Sequence, residues 1–71
     1  MTCYAAIDIG SNSVRLLVGR VEGTQVQPLA RELRSTRILV GATDGWLQEA
    51  AVKRTVAAVA ELTALAREYA L

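Results

Sequence analysis

Histidine and phenylalanine are absent from this 71-residue sequence, and cysteine, proline, methionine and tryptophan occur once each. With no histidine and a single thiol, a zinc site is not expected. Cys3 has no partner for an intramolecular disulfide. Aromatic residues make up only 4%, so any core is thin and aliphatic. Charge of one sign is missing too. Eight Lys and Arg against seven Asp and Glu leave a net charge of +1, with no electrostatic footprint for nucleic acid. No window approaches the ~18 consecutive apolar residues of a membrane span. The first residues lack a basic region, and Asp8 interrupts the apolar run that follows, so no signal peptide is expected. Cytoplasm is the expected compartment, and it suits a free thiol.

What is present is apolar enough to fold: 52% hydrophobic and 21% charged, outside the disordered range. Residues 3–9 read as a strand, apolar on both faces and ended by Gly10. Residues 14–21 read as a second, with Val14, Leu16 and Val18 facing one way and Arg15 and Leu17 the other. Glu22-Gly23-Thr24 is a hairpin turn by composition, and residues 25–34 form a third strand. Pro28 has no N–H for a ladder and predicts an edge or a bulge there. Ile38-Leu39-Val40 fits either a short strand or an apolar loop, punctuated by Gly41 and Asp44-Gly45. From residue 48 to 70 the period becomes helical: Val52, Val56, Val59, Leu62, Ala66 and Tyr69 recur every three or four positions, without Gly or Pro. Glu49 and Lys53 are placed for an i,i+4 pair. Short connections make the strands an antiparallel meander. The expected fold class is α/β: a three-stranded antiparallel meander followed by one long helix. Strands apolar on both faces need covering on both sides, and one helix covers one. A missing layer is expected, supplied by more chain or by a second copy. So short and unstapled a chain is expected to fold marginally or to self-associate.

The stretch with chemistry in it runs Asp8-Ile9-Gly10-Ser11-Asn12-Ser13. A carboxylate stands near the end of an apolar strand. A glycine follows, where backbone can approach a ligand closely. Three small polar residues then offer hydroxyls, an amide and N–H groups around a turn, a concavity suited to phosphate oxygens. A carboxylate beside bound phosphate is a usual holder of Mg²⁺. The same residues also compose an ordinary hairpin turn, with Asp8 accepting hydrogen bonds from the turn itself.

Extended through Val14-Arg15-Leu16-Leu17-Val18, this motif resembles the first phosphate motif of the exopolyphosphatase and guanosine-pentaphosphate phosphohydrolase family. The resemblance continues through residues 28–34, Thr36-Arg37 and Lys53-Arg54-Thr55, and so covers essentially the whole chain. That family belongs to the actin, sugar-kinase and heat-shock-chaperone superfamily. The resemblance therefore implies that residues 1–71 are the N-terminal part of the first ribonuclease-H-like domain. It implies a Mg²⁺-dependent hydrolase that releases terminal phosphate from inorganic polyphosphate or guanosine pentaphosphate. Asp8 would help hold Mg²⁺; Gly10, Ser11, Asn12 and Ser13 would contact the terminal phosphate; Arg37 would stand near the entrance used by the anionic chain. Arg15 would either pair with Asp8 or face the anion. The general base, a glutamate, and the second phosphate loop are expected beyond residue 71, so this fragment alone is expected to be inactive.

The sequence also departs from the family. After Thr36-Arg37 it reads Ile38-Leu39-Val40-Gly41 where a Gly- and Glu-containing loop is usual. The helix starts on Gln48-Glu49, a weaker N-cap than the usual Ser or Thr. Two other readings stand beside the hydrolase: a superfamily ATP-dependent kinase using the same loop, and a non-catalytic module that self-associates through its uncovered sheet face. Among the remaining residues, Arg31, Arg34 and Arg37 suit a solvated edge better than an anion channel. Leu62, Leu65 and Tyr69 suit a core face, Trp46 a cover for the helix entrance, and Cys3 a small buried position.

Overall fold

The computed structural model describes residues 2–69. Three strands and a helix follow in chain order: β1 (Thr2–Ile9), β2 (Ser13–Glu22), β3 (Gln25–Ser35) and α1 (Glu49–Arg67). The sheet order is β1-β2-β3, antiparallel throughout, with Ile7 opposite Leu16 and Leu16 opposite Glu32. The meander and the helix are as expected from the alternation and the turn residues. Residue 70, the expected helix end, lies outside the described residues.

The core lies between β2 and α1. Val14, Leu16 and Val18 are buried together with Leu62 and Ala66, and Ile7, Leu29, Ala30, Val59 and Leu65 pack around them. The β2–β3 hairpin closes on Gly23-Thr24. Gly23 takes φ +59° and Thr24 does not turn positive, the type II′ arrangement that matches strand twist. Further along, Val18 pairs with Ala30 while Gly19 pairs with Pro28, which leaves Leu29 as the extra residue of a β-bulge. Pro28 therefore sits on an edge strand and beside a bulge. A Cβ on Gly19, opposite, would stand 3.2 Å from Cγ1 of the exposed Val26, which would have to give by a few tenths of an ångström.

The helix buries a different stripe from the one its valines mark. Ala51, Thr55, Ala58, Leu62 and Ala66 face the sheet, whereas Val52 and Val56 are exposed. Both sets repeat at 3.6 residues, so periodicity does not separate them. The sheet beneath presents bulky Val and Leu side chains, and the small stripe lets the helix axis come close. Of the other expected core-face residues, Leu62 is buried, Leu65 half-buried and Tyr69 exposed. Gln48 is the N-cap residue and makes no side-chain cap bond; its Nε2 donates to the Gly41 carbonyl instead (3.0 Å). The Glu49–Lys53 pair forms at 3.0 Å in full solvent, where such pairs contribute about 0.3–0.5 kcal/mol.

Residues 38–41 form turns, with Val40 N–H donating to the Arg37 carbonyl. Thr43 and Trp46 then bridge across Asp44-Gly45, both at positive φ, as in a type I′ turn. The indole of Trp46 does not cover the helix entrance: the residue, whose backbone pairs with Thr43, is 77% exposed. Cys3 is half-buried rather than buried. No helix among the described residues is long and apolar enough to cross a membrane.

Candidate functional site

The Gly10–Ser13 loop joins β1 to β2. Gly10 N–H donates to the Ser13 carbonyl at 2.9 Å, which leaves Ser11 and Asn12 exposed at the tip. Two-residue hairpin loops favour primed turns with positive φ. Here neither tip residue takes positive φ, unlike Gly23 at the other end of β2. The loop is braced from outside instead. The N–H groups of Thr36 and Arg37 both donate to the Asn12 carbonyl, at 3.0 and 3.1 Å. Among the described residues, the N–H groups of Ser11 and Asn12 donate to no backbone acceptor. The exposed tip therefore keeps its own donors while its carbonyl is tied back.

The bracing turn is itself held by the helix. Arg54 Nε donates to the Thr36 carbonyl (3.0 Å), and Nη2 donates to the Arg37 carbonyl (3.3 Å). Arg37 takes φ +47°, a conformation that costs a non-glycine residue about 1–2 kcal/mol. The two amide bonds to Asn12 and the guanidinium fork of Arg54 hold it there. Thr36 is 2% exposed, and its hydroxyl has no partner, a cost on the order of 1–3 kcal/mol. Arg54 and Thr36 thus position the loop, and sequence patterns do not single them out for it. A side chain that fastens main chain 17 or 18 residues away leaves no period to read.

Asp8 lies on the sheet face turned away from α1. Directly opposite residues in an antiparallel pair share a face, and Asp8 stands opposite Arg15, which stands opposite Leu33. Ala6, Asp8, Arg15, Leu17, Arg31 and Leu33 line a depression of about 510 Å3 on this face. Among the described residues Asp8 accepts no hydrogen bond from its neighbouring turn and forms no ion pair with Arg15. Glu32 also borders it, so two arginines are matched in number by two carboxylates. Arg37 is brought to the loop by its main chain, and no ion pair joins it to Asp8. Arg34, on the helix side, is engaged elsewhere, with Glu61 at 2.7 Å and Glu32 at 3.6 Å. Its hydrogen bond to Glu61 pushes its pKa further up.

No three His, Cys, Asp or Glu side chains converge on a metal position among the described residues. A single carboxylate does not hold Mg²⁺ alone. The donor set fits Mg²⁺ that arrives with phosphate and keeps most of its waters. No family model matches the chain, and comparison with curated proteins finds no match.

Proposed function

We propose that the Gly10–Ser13 loop is the terminal-phosphate cradle of a Mg²⁺-dependent phosphohydrolase, and that this chain supplies one half of its active site. The substrate is inorganic polyphosphate or guanosine pentaphosphate. The reaction is hydrolysis of the terminal phosphoanhydride by water, and the fold is the opening half of a ribonuclease-H-like domain. The observation that supports this reading is the loop itself: exposed donors at its tip, a carbonyl tied back to Thr36 and Arg37, and a carboxylate two residues upstream. Loop N–H and hydroxyl groups orient the terminal phosphate, and Arg15 and Arg31 attract the anionic chain. Asp8 is the residue that would hold Mg²⁺. Bound with the phosphate, Mg²⁺ would neutralise charge on the phosphoryl oxygens. Water activation and the second phosphate loop are assigned to a glutamate and an aspartate outside these residues. The chain alone then binds without turnover, since phosphoryl transfer needs positioning from both sides.

Amide-shift mapping with tripolyphosphate, with and without Mg²⁺, tests the reading. Shifts confined to residues 8–13 and 36–37 and to Arg15 and Arg31, with the Mg²⁺-dependent part lost in Asp8→Ala, are expected. Shifts elsewhere, or none at millimolar tripolyphosphate, would refute it. A second reading, a non-catalytic self-associating module, draws on the open sheet face, where Tyr4, Leu17 and Leu33 are 60%, 40% and 51% exposed. Open-face association with no tripolyphosphate binding would favour it.

A further inference from the structure

Arg34 is matched by Glu61 and Glu32, and Lys53 by Glu49. Among the described residues Arg54 forms no ion pair; its guanidinium donates to two main-chain carbonyls, those of Thr36 and Arg37. An arginine engaged with carbonyls keeps its whole charge and polarises the peptides that receive it. One of these peptides stands in series with the Gly10–Ser13 loop. Its C=O belongs to Thr36 and lies 3.0 Å from Arg54 Nε; its N–H belongs to Arg37 and donates to the Asn12 carbonyl at 3.1 Å. In a trans peptide the C=O and N–H point in opposite directions. The cation therefore stands behind the negative end of this unit, and the positive end meets Asn12. The Asn12 carbonyl in turn shares its peptide with the N–H of Ser13. Two peptide units line up head to tail, with the guanidinium at one end and the Ser13 N–H at the other.

That last N–H is uncommitted. The bond from Thr36 N–H to the Asn12 carbonyl makes these two a hydrogen-bonded pair. The next pair, Ser13 and Ser35, is then a non-hydrogen-bonded one, and Ser13 N–H turns away from β3. On its other side Gly10 N–H donates to the Ser13 carbonyl, but no bond returns from Ser13 N–H to the Gly10 carbonyl. Ser13 N–H thus joins those of Ser11 and Asn12 as a third available donor. The carbonyls of Asn12, Thr36 and Arg37, which would repel an anion, are all occupied by donors.

We propose that Arg54 is a positioning residue for anion binding at this loop. Through the Thr36–Arg37 peptide it fixes the Asn12 carbonyl and strengthens Ser13 N–H as a donor to a phosphate oxygen. This role rests on the phosphate reading of Gly10–Ser13, and it adds to that loop a charge that acts through main chain rather than by contact. Bonds in such chains strengthen one another by about 10–30% each. Because the peptides are held before the anion arrives, binding requires no reorganisation of them.

A chain of 71 residues is accessible to chemical synthesis, which allows citrulline at position 54. Citrulline keeps the Nε–H and a terminal NH2 at the same reach and removes the charge. In the ligand-free protein the amide protons of Arg37 and Ser13 should move upfield, while Thr36 and Arg37 keep their protection from exchange. Binding of tripolyphosphate, followed by amide shifts, should weaken at least about threefold. Lys53→Gln removes the neighbouring charge without touching either carbonyl and should bind as the wild type does. Equal affinity in the citrulline chain, or an equal loss in Lys53→Gln, would overturn the proposal and leave the phosphate reading standing. So would amide protons of Arg37 and Ser13 that do not move. A wild-type chain that binds no tripolyphosphate would overturn both.

Discussion

The two faces of β2 are built from the same kinds of residue and meet opposite fates. Val14, Leu16 and Val18 are sealed under α1, at 2% exposure or less. Leu17, between two of them, is 40% exposed in a depression bordered by Asp8, Arg15 and Arg31. Hydropathy treats Leu16 and Leu17 alike, and the difference lies in what is stacked above each. α1 brings a stripe of small residues close to one face, while nothing among the described residues covers the other. An apolar strand position is therefore a request for cover, and this chain answers it on one side only.

The sharpest way to break that contrast is the adjacent pair Leu16→Ala and Leu17→Ala. The first should cost about 2–5 kcal/mol, enough to abolish the cooperative melt of so small a domain. The second should cost less than about 1 kcal/mol. Equal losses in chemical denaturation would mean that the second face is covered in solution. Next in size, Arg54→Ala removes charged donors from two carbonyls and should cost about 1.5–3 kcal/mol. Arg54→Lys should restore little of it, because an ammonium does not reproduce the fork. Amide exchange at Thr36 and Arg37 should quicken in both variants, and unchanged exchange would dismiss the clamp. Smaller still, Thr36→Val replaces a buried, unpartnered hydroxyl with a methyl group and should be neutral or stabilising by up to about 1 kcal/mol. A clear loss would mean that the hydroxyl has a partner in solution. Glu61→Gln, which breaks an exposed ion pair on the covered side, should leave stability almost unchanged, with any small loss fading as salt rises.

Much of the architecture is legible in local chemistry. Alternation and turn residues place three strands to within one or two residues, and Pro28 announces both an edge and a bulge. The helix is legible in its extent and not in its orientation. Ala51, Thr55 and Ala58 bury themselves because they are small, a property that hydrophobic periodicity counts against them. At the candidate site, the polar loop and its carboxylate are visible in the sequence. The bracing of Asn12 by Thr36 and Arg37 is not, because it joins main-chain groups some two dozen residues apart that any side chains would supply.

The bulge at Leu29 makes one codon dispensable in a way its neighbours are not. Both Leu29 and Ala30 turn toward the core there, so the two-residue alternation of β3 changes phase between Pro28 and Arg31. Losing one residue at that point erases the irregularity and leaves every other pairing with β2 in place. Losing one inside Val14–Val18 would instead carry core side chains over to the solvent face. In a library of single in-frame deletions, positions 29 and 30 should form an island of tolerance within an otherwise intolerant sheet.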